Sequence, residues 1–350
     1  MIKKTDALLV NYAVFLGLIF FQALVLIQYQ VNYHYFVNLL GIFLFFFLVR
    51  SEIKKVSTIA FRRLGLPSFV HVFFVSVCAA ILGWHFLYSL NLGYIDGIAN
   101  SSPLYTYLAV VTSFLIFNSP KSTGFFSFFL LLFLIVACLL AGRRMIFLIF
   151  LPCFLIFFKV SRVRVYLGFI ALLIILVLVQ AHRIGVSVQN DGGMISVAYN
   201  AFDTYHSALA LSKFHLSSCG GGAAGSISFA AHHLGIGYQP SYYLDKYECS
   251  VSYGIDLKGG GWIAHHFQWF IGKMYAPFMF LYIFLTVKSV NLIPKDWRLF
   301  SILILLMSSF RMFFYSPNAG LKTLLFIAVF ASLLMLLPRK KKRNGSRQTS

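Results

Sequence analysis

The residues able to do chemistry are concentrated in and around one stretch. Residues 182–264 and the pair His265-His266 that follows hold seven of the ten histidines, five of the nine acids and the glycine runs 220–222 and 259–261. A neutral imidazole can take a proton from a hydroxyl near pH 7, so the histidines gathered here are candidate bases. Asp203 is a further candidate, since it shares a helical face with His206 three residues on and with the small Ala210. Arg143, Arg144, Arg183, Lys273 and Arg311 supply fixed cations, and guanidinium groups match phosphate or pyrophosphate oxygens with paired donors. Together the two sets suit a site where a hydroxyl loses its proton beside an anionic phosphate or pyrophosphate group, whose charge fixed cations stabilise in a low-dielectric setting.

Each group has a plainer reading beside it. Any one of the cations can snorkel to lipid phosphates at an interface, and a single histidine is most often hydrogen-bonded structure. Adjacent histidines on a helix point about 100° apart, and neither His232-His233 nor His265-His266 sits in a zinc spacing with Asp203 or Asp256, so no metal is expected. No pair of acids has glycosidase-like placement. The run 220–225 lacks the Lys-Ser/Thr ending and preceding strand of a phosphate-binding loop, and no cofactor is expected. Cys78, Cys138 and Cys153 lie in apolar runs as small buried hydrophobes, whereas Cys219 and Cys249 share the long polar stretch, where one spacing leaves their pairing open.

The elements that position these residues are set by composition. Hydrophobic residues make up 60% of the 350 and charged residues 11%, with a mean hydropathy of +0.83. A soluble domain has about 45–50% and about 25%, so the chain reads as an all-α polytopic integral membrane protein. A spanning helix needs about 20 mostly apolar residues. Ten such spans are expected, over 7–28, 34–49, 67–90, 103–118, 125–141, 145–158, 165–181, 265–287, 299–315 and 321–337. The sixth is short and contains Pro152. The first is too long for a cleaved signal core and should stay in the mature protein.

Lysine and arginine in short loops orient the spans. Lys3 and Lys4, Arg50 to Arg63, Lys121, Lys159 to Arg164, Lys288 to Arg298 and the tail from Arg339 alternate correctly as cytoplasmic segments. The formal charge of +20 is therefore a topology signal rather than a sign of nucleic acid. Residues 182–264 then face the other side as one long periplasmic loop, too apolar for disorder and too long for a plain linker. The division is 1–181 for spans one to seven, 182–264 for the loop, 265–337 for spans eight to ten, and 338–350 for a basic cytoplasmic tail suited to anionic inner-leaflet lipid. Lys273 and Arg311 fall inside spans near their outer ends, where a charge costs up to about 2.5–3.5 kcal/mol and normally faces a cavity or partner.

An outward turn Gly142-Arg143-Arg144 between two spans, Arg183 at the start of the long loop, and His265-His266-Phe267-Gln268-Trp269 at its end with Gly272 beyond it form a pattern. It resembles the bacterial O-antigen polymerases of the Wzy type and the related O-antigen ligases, over essentially the whole chain. The resemblance implies a GT-C-like membrane fold in the bacterial inner membrane. It implies Arg143 or Arg144 and Arg183 as pyrophosphate ligands, and His265 or His266 as the base. The substrates it implies are undecaprenyl-pyrophosphate-linked oligosaccharides, with a chain-length regulator and a repeat-unit flippase as partners. Ligases of this kind follow the histidine with Asn or a similar residue and later glycines. Here Phe267 follows His266, with only Gly272 and Pro277 beyond, which favours the polymerase.

Three rival functions have distinct signatures. A ligase uses the same donor site and differs only in its acceptor. A flippase or transporter would line a central pathway with its charges, reachable from both sides, whereas these cations gather at one face. A membrane scaffold would leave intramembrane Lys273 and Arg311 without a use.

Overall fold

The computed structural model describes residues 4–24, 26, 33–56, 68–91, 103–117, 121–140, 149–153, 163, 167–168, 262–314 and 318–335. Every regular element among them is helical. In chain order these are α1 (Lys4–Leu24), α2 (Tyr33–Lys55), α3 (Ser68–Asn91), α4 (Pro103–Phe117), α5 (Gly124–Leu140), α6 (Ile263–Ile271), α7 (Tyr275–Lys288), α8 (Arg298–Phe314) and α9 (Asn318–Met335), with short 3-10 turns between some of them. Among the described residues, four helical segments are long and apolar enough to cross a membrane: Thr5–Ala23, Tyr33–Lys55, Ser68–Tyr88 and Gly272–Leu292. Their sequences are apolar around the whole circumference, which marks a helix buried in a large core or in lipid. Phe69, Phe73, Trp84 and Phe125 are exposed on α3 and α5, a surface that suits lipid tails. The fold is that of an all-α membrane protein.

α2 is the hub. It packs against α1, α6, α7 and α8, and α8 in turn touches α1, α6 and α9. Close approach is made possible by Gly41 in the middle of α2, where a Cβ would lie 3.0 Å from Met279 Cε, 3.1 Å from Ile283 Cδ1 and 3.4 Å from a Phe313 ring carbon. Small residues let helices meet in lipid, where packing rather than water exclusion holds them together. The Met279 and Ile283 contacts are flexible side-chain ends, so Gly41→Ala should be tolerated. Gly41→Leu should cost about 1–3 kcal/mol by overpacking, read as lost thermal stability of the purified protein in detergent. Equal stability of the two variants would show that α2, α7 and α8 do not meet at this point.

α3 packs on α4 and α5, and α4 joins this group to the hub through α9. Phe114 of α4 stacks on Trp297 at 4.0 Å between ring centroids and meets Phe300 and Phe330 edge-on. Cys138 and Cys153 are buried and Cys78 is half-buried, all as free thiols. Cys153 is seated by Ser113, whose hydroxyl lies 3.1 Å from its sulfur.

The expected single span 265–287 is broken. α6 ends at Ile271, Gly272 takes φ +80°, and a 3-10 turn Gly272–Met274 leads into α7. Only glycine enters that backbone region cheaply, and Pro277, in the first turn of α7, has no N–H with which to continue a helix from upstream. The uninterrupted apolar composition hides this break. Expected spans six and seven, the loop 182–264 and the tail 338–350 fall almost wholly outside the described residues.

Candidate functional site

Four elements converge at one end of the hub. α2 opens with Tyr33-His34-Tyr35, α6 carries His265 and His266 in its first turn, α7 begins at Tyr275, and α8 ends just after Arg311. His34 Nδ1 and the Tyr275 hydroxyl are 2.6 Å apart. The His34 ring lies 4.8 Å from that of His265 and 5.4 Å from that of Tyr275. His265 and Tyr275 are each only 1% exposed and His266 5%, whereas His34 is half-buried.

The cluster is held by aromatic packing and backbone bonds. Trp262 precedes α6 and is fully buried, and its carbonyl accepts the N–H groups of His265 at 3.0 Å and His266 at 3.1 Å. Its indole lies edge-on to Phe314 at 5.7 Å and tilted to Tyr35 at 6.2 Å, so α6, α8 and α2 are tied at the same level. One turn further along α2, Asn38 donates to Gln22 Oε1 at 2.8 Å, and Gln22 donates to the Tyr35 carbonyl at 3.0 Å. These hydrogen bonds lie in the core, where a low dielectric strengthens them, and they tie α1 to α2 at this level.

The predicted site residues divide three ways. His265 and His266 are at the cluster. Arg311 is half-exposed on α8, one turn before Phe314 and so at the same end of the bundle. Lys273 is exposed on the 3-10 turn between α6 and α7, at the start of the segment Gly272–Leu292 that is long and apolar enough to cross a membrane. Arg143, Arg144, Arg183 and Asp203 lie outside the described residues. Among the described residues no three His, Cys, Asp or Glu side chains are grouped to hold a metal ion.

The chain fits no family model and has no significantly similar curated protein or solved structure. Its own side chains must carry the assignment, and two of those at the cluster, His34 and Tyr275, escape the sequence reading. A signal for His34 does exist: it begins the second expected span on the same side as the long loop.

The opposite end of the hub is also polar, and differently so. Glu52, 2% exposed, accepts from Lys55 at 3.0 Å and from Lys288 through the same oxygen, while Asn291 donates to its other oxygen at 3.2 Å. Arg298 donates to the carbonyls of Ile293 at 2.9 Å and Asn291 at 2.8 Å. Eighteen residues of α2 separate His34 from Glu52, about 27 Å of helix, close to the thickness of a bilayer core of about 30 Å.

Proposed function

We propose that this chain is a bacterial inner-membrane glycosyltransferase that polymerises surface polysaccharide, an O-antigen polymerase of the Wzy type. In this reading ten spans place both termini in the cytoplasm and the loop 182–264 in the periplasm. The growing glycan is transferred from undecaprenyl pyrophosphate to the non-reducing sugar of a newly flipped lipid-linked repeat unit. Arg143, Arg144, Arg183 and Arg311 hold the pyrophosphate, and the histidine cluster supplies the base. Lys273, exposed on its turn, is the weakest member of the cation set. Asp203 is a second candidate for the proton acceptor.

The observation that supports this most is the segregation of polar groups along α2. Imidazoles, a phenol and Arg311 are gathered at one end, whereas lysines and Arg298 engaged by Glu52 and backbone carbonyls occupy the other. A transporter would distribute such groups along the path between.

The test is the glycan ladder of a strain lacking the gene, resolved by gel. Retention of core bearing a single repeat, with loss of all longer chains, is the expected result. Loss of the single repeat with lipid-linked chains accumulating outside would make the protein the ligase, and accumulation inside would make it the flippase. An unchanged ladder would remove the assignment. A topology reporter fused after Gly222 should signal from the periplasm; a cytoplasmic signal would invert the orientation and with it the site.

A further inference from the structure

We propose that His34, and neither His265 nor His266, is the imidazole that meets the acceptor hydroxyl, with Tyr275 as its positioning partner. The inference rests on the polymerase reading and assigns its base. A proton acceptor has to touch the hydroxyl it deprotonates, within about 2.6–3.2 Å or through one water. His265 and His266 are 1% and 5% exposed, which leaves almost no ring surface for a sugar hydroxyl to meet. His34 is half-buried and stands beside Tyr33, which is 60% exposed at the very start of α2. Of the three rings it is the one at the mouth of the cluster.

Its surroundings give it the orientation a base needs. Nδ1 is engaged by the Tyr275 hydroxyl at 2.6 Å, which leaves Nε2 as the nitrogen for substrate. We assign Nδ1 the proton, donated to the phenol oxygen, so that Nε2 carries the lone pair. Fixing one ring nitrogen by a hydrogen bond is how a protein selects the tautomer of the other. Tyr275 can do this reliably because it is itself buried at the first turn of α7, directly after the Gly272 break that brings it beside α2. His265, 4.8 Å behind the His34 ring, packs the inner side and keeps water from it.

The step then balances. His34 Nε2 takes the proton of the acceptor hydroxyl, and the oxygen's electron pair forms the new bond to the anomeric carbon. The bond from that carbon to the pyrophosphate oxygen breaks, its electron pair leaves with undecaprenyl pyrophosphate, and the imidazolium releases its proton to water before the next cycle.

The full-length protein in native membrane vesicles would be treated briefly with diethyl pyrocarbonate and its modified histidines mapped by mass spectrometry, while variants are assayed by complementation of the glycan ladder at matched abundance. We expect labelling of His34 well ahead of His265 and His266. His34→Gln should reduce chain extension by at least about 100-fold, the low end for loss of a general base. Tyr275→Phe should reduce it about tenfold and slow labelling of His34, a change that loss of packing alone would not produce. Labelling of His265 before His34, or a full ladder with His34→Gln while Arg144→Ala abolishes it, would overturn the assignment and leave the polymerase standing. A full ladder in the gene deletion itself would overturn both.

Discussion

Arg311→Ala should abolish polymer while the protein stays at its normal abundance, and Arg298→Ala should do the reverse. Both arginines lie on α8, one at each end of a 17-residue helix, so the comparison holds residue type and element constant. Arg298 spends its guanidinium on two backbone carbonyls that close the turn between α7 and α8. Charge-assisted hydrogen bonds of this kind contribute about 1.5–3 kcal/mol, and removing them strands the carbonyl of buried Ile293. The expected loss is therefore in folding and in the amount of protein, with chain extension per molecule unchanged. Arg311 stands at the other end, with the imidazole cluster. In the proposed reaction its charge matters most when the pyrophosphate departs, and removing one such stabilising group typically costs about 100- to 1,000-fold in rate. Arg144→Ala and Arg183→Ala should behave as Arg311→Ala does. The measurement is an immunoblot beside a glycan gel for each variant. A normal ladder with Arg311→Ala, Arg144→Ala and Arg183→Ala alike would remove the anion site, and an empty ladder with Arg298→Ala at full abundance would relocate it.

How much of this was legible beforehand depends on the range of the interaction involved. The helices and their membrane character follow from local composition, because runs such as 124–140 carry no charge and a single hydroxyl, that of Ser127. His265 and His266 stand out by type and position, and they are where the helices converge. The partnership of His34 with Tyr275 is different. The two are separated by 241 residues, and nothing in either neighbourhood points to the other until α2 and α7 are packed together. The break at Gly272 lies between these extremes. Gly272 and Pro277 are both plain in the sequence, but their apolar surroundings read as one continuous span, and only the backbone angle of Gly272 separates α6 from α7. Glu52 was obscured by its setting among Arg50, Lys54 and Lys55, a run that signals topology and gives no hint of a buried acid.

That acid carries the largest structural effect expected. Glu52→Lys should lower the amount of folded protein more than any other single change at this end of the bundle. The carboxylate is buried and serves Lys55, Lys288 and Asn291 together, which ties the end of α2 to the turn after α7. Breaking a buried ion pair from one side costs about 3–5 kcal/mol because the remaining charge loses its compensation. Here the lysine side chains are 58% and 31% exposed, so they retain some solvation and the lower end of that range applies to Glu52→Ala. Reversal to lysine adds repulsion among three cations and should exceed it. The decisive variant is the reciprocal one, Glu52→Lys combined with Lys288→Glu. It restores an opposite pair across α2 and α7 while leaving Lys55 one turn from the new lysine, so abundance should recover in part. A positive interaction energy of at least about 1 kcal/mol in the double-mutant cycle would identify a direct contact. Replacement of both residues by leucine should be better tolerated than either charge reversal, since removing a buried pair together avoids an orphaned charge. If Glu52→Lys accumulated like the parent protein and the cycle were additive, α2 and α7 would not be joined at this end, and the bundle that aligns His34 with Tyr275 would lose its second anchor.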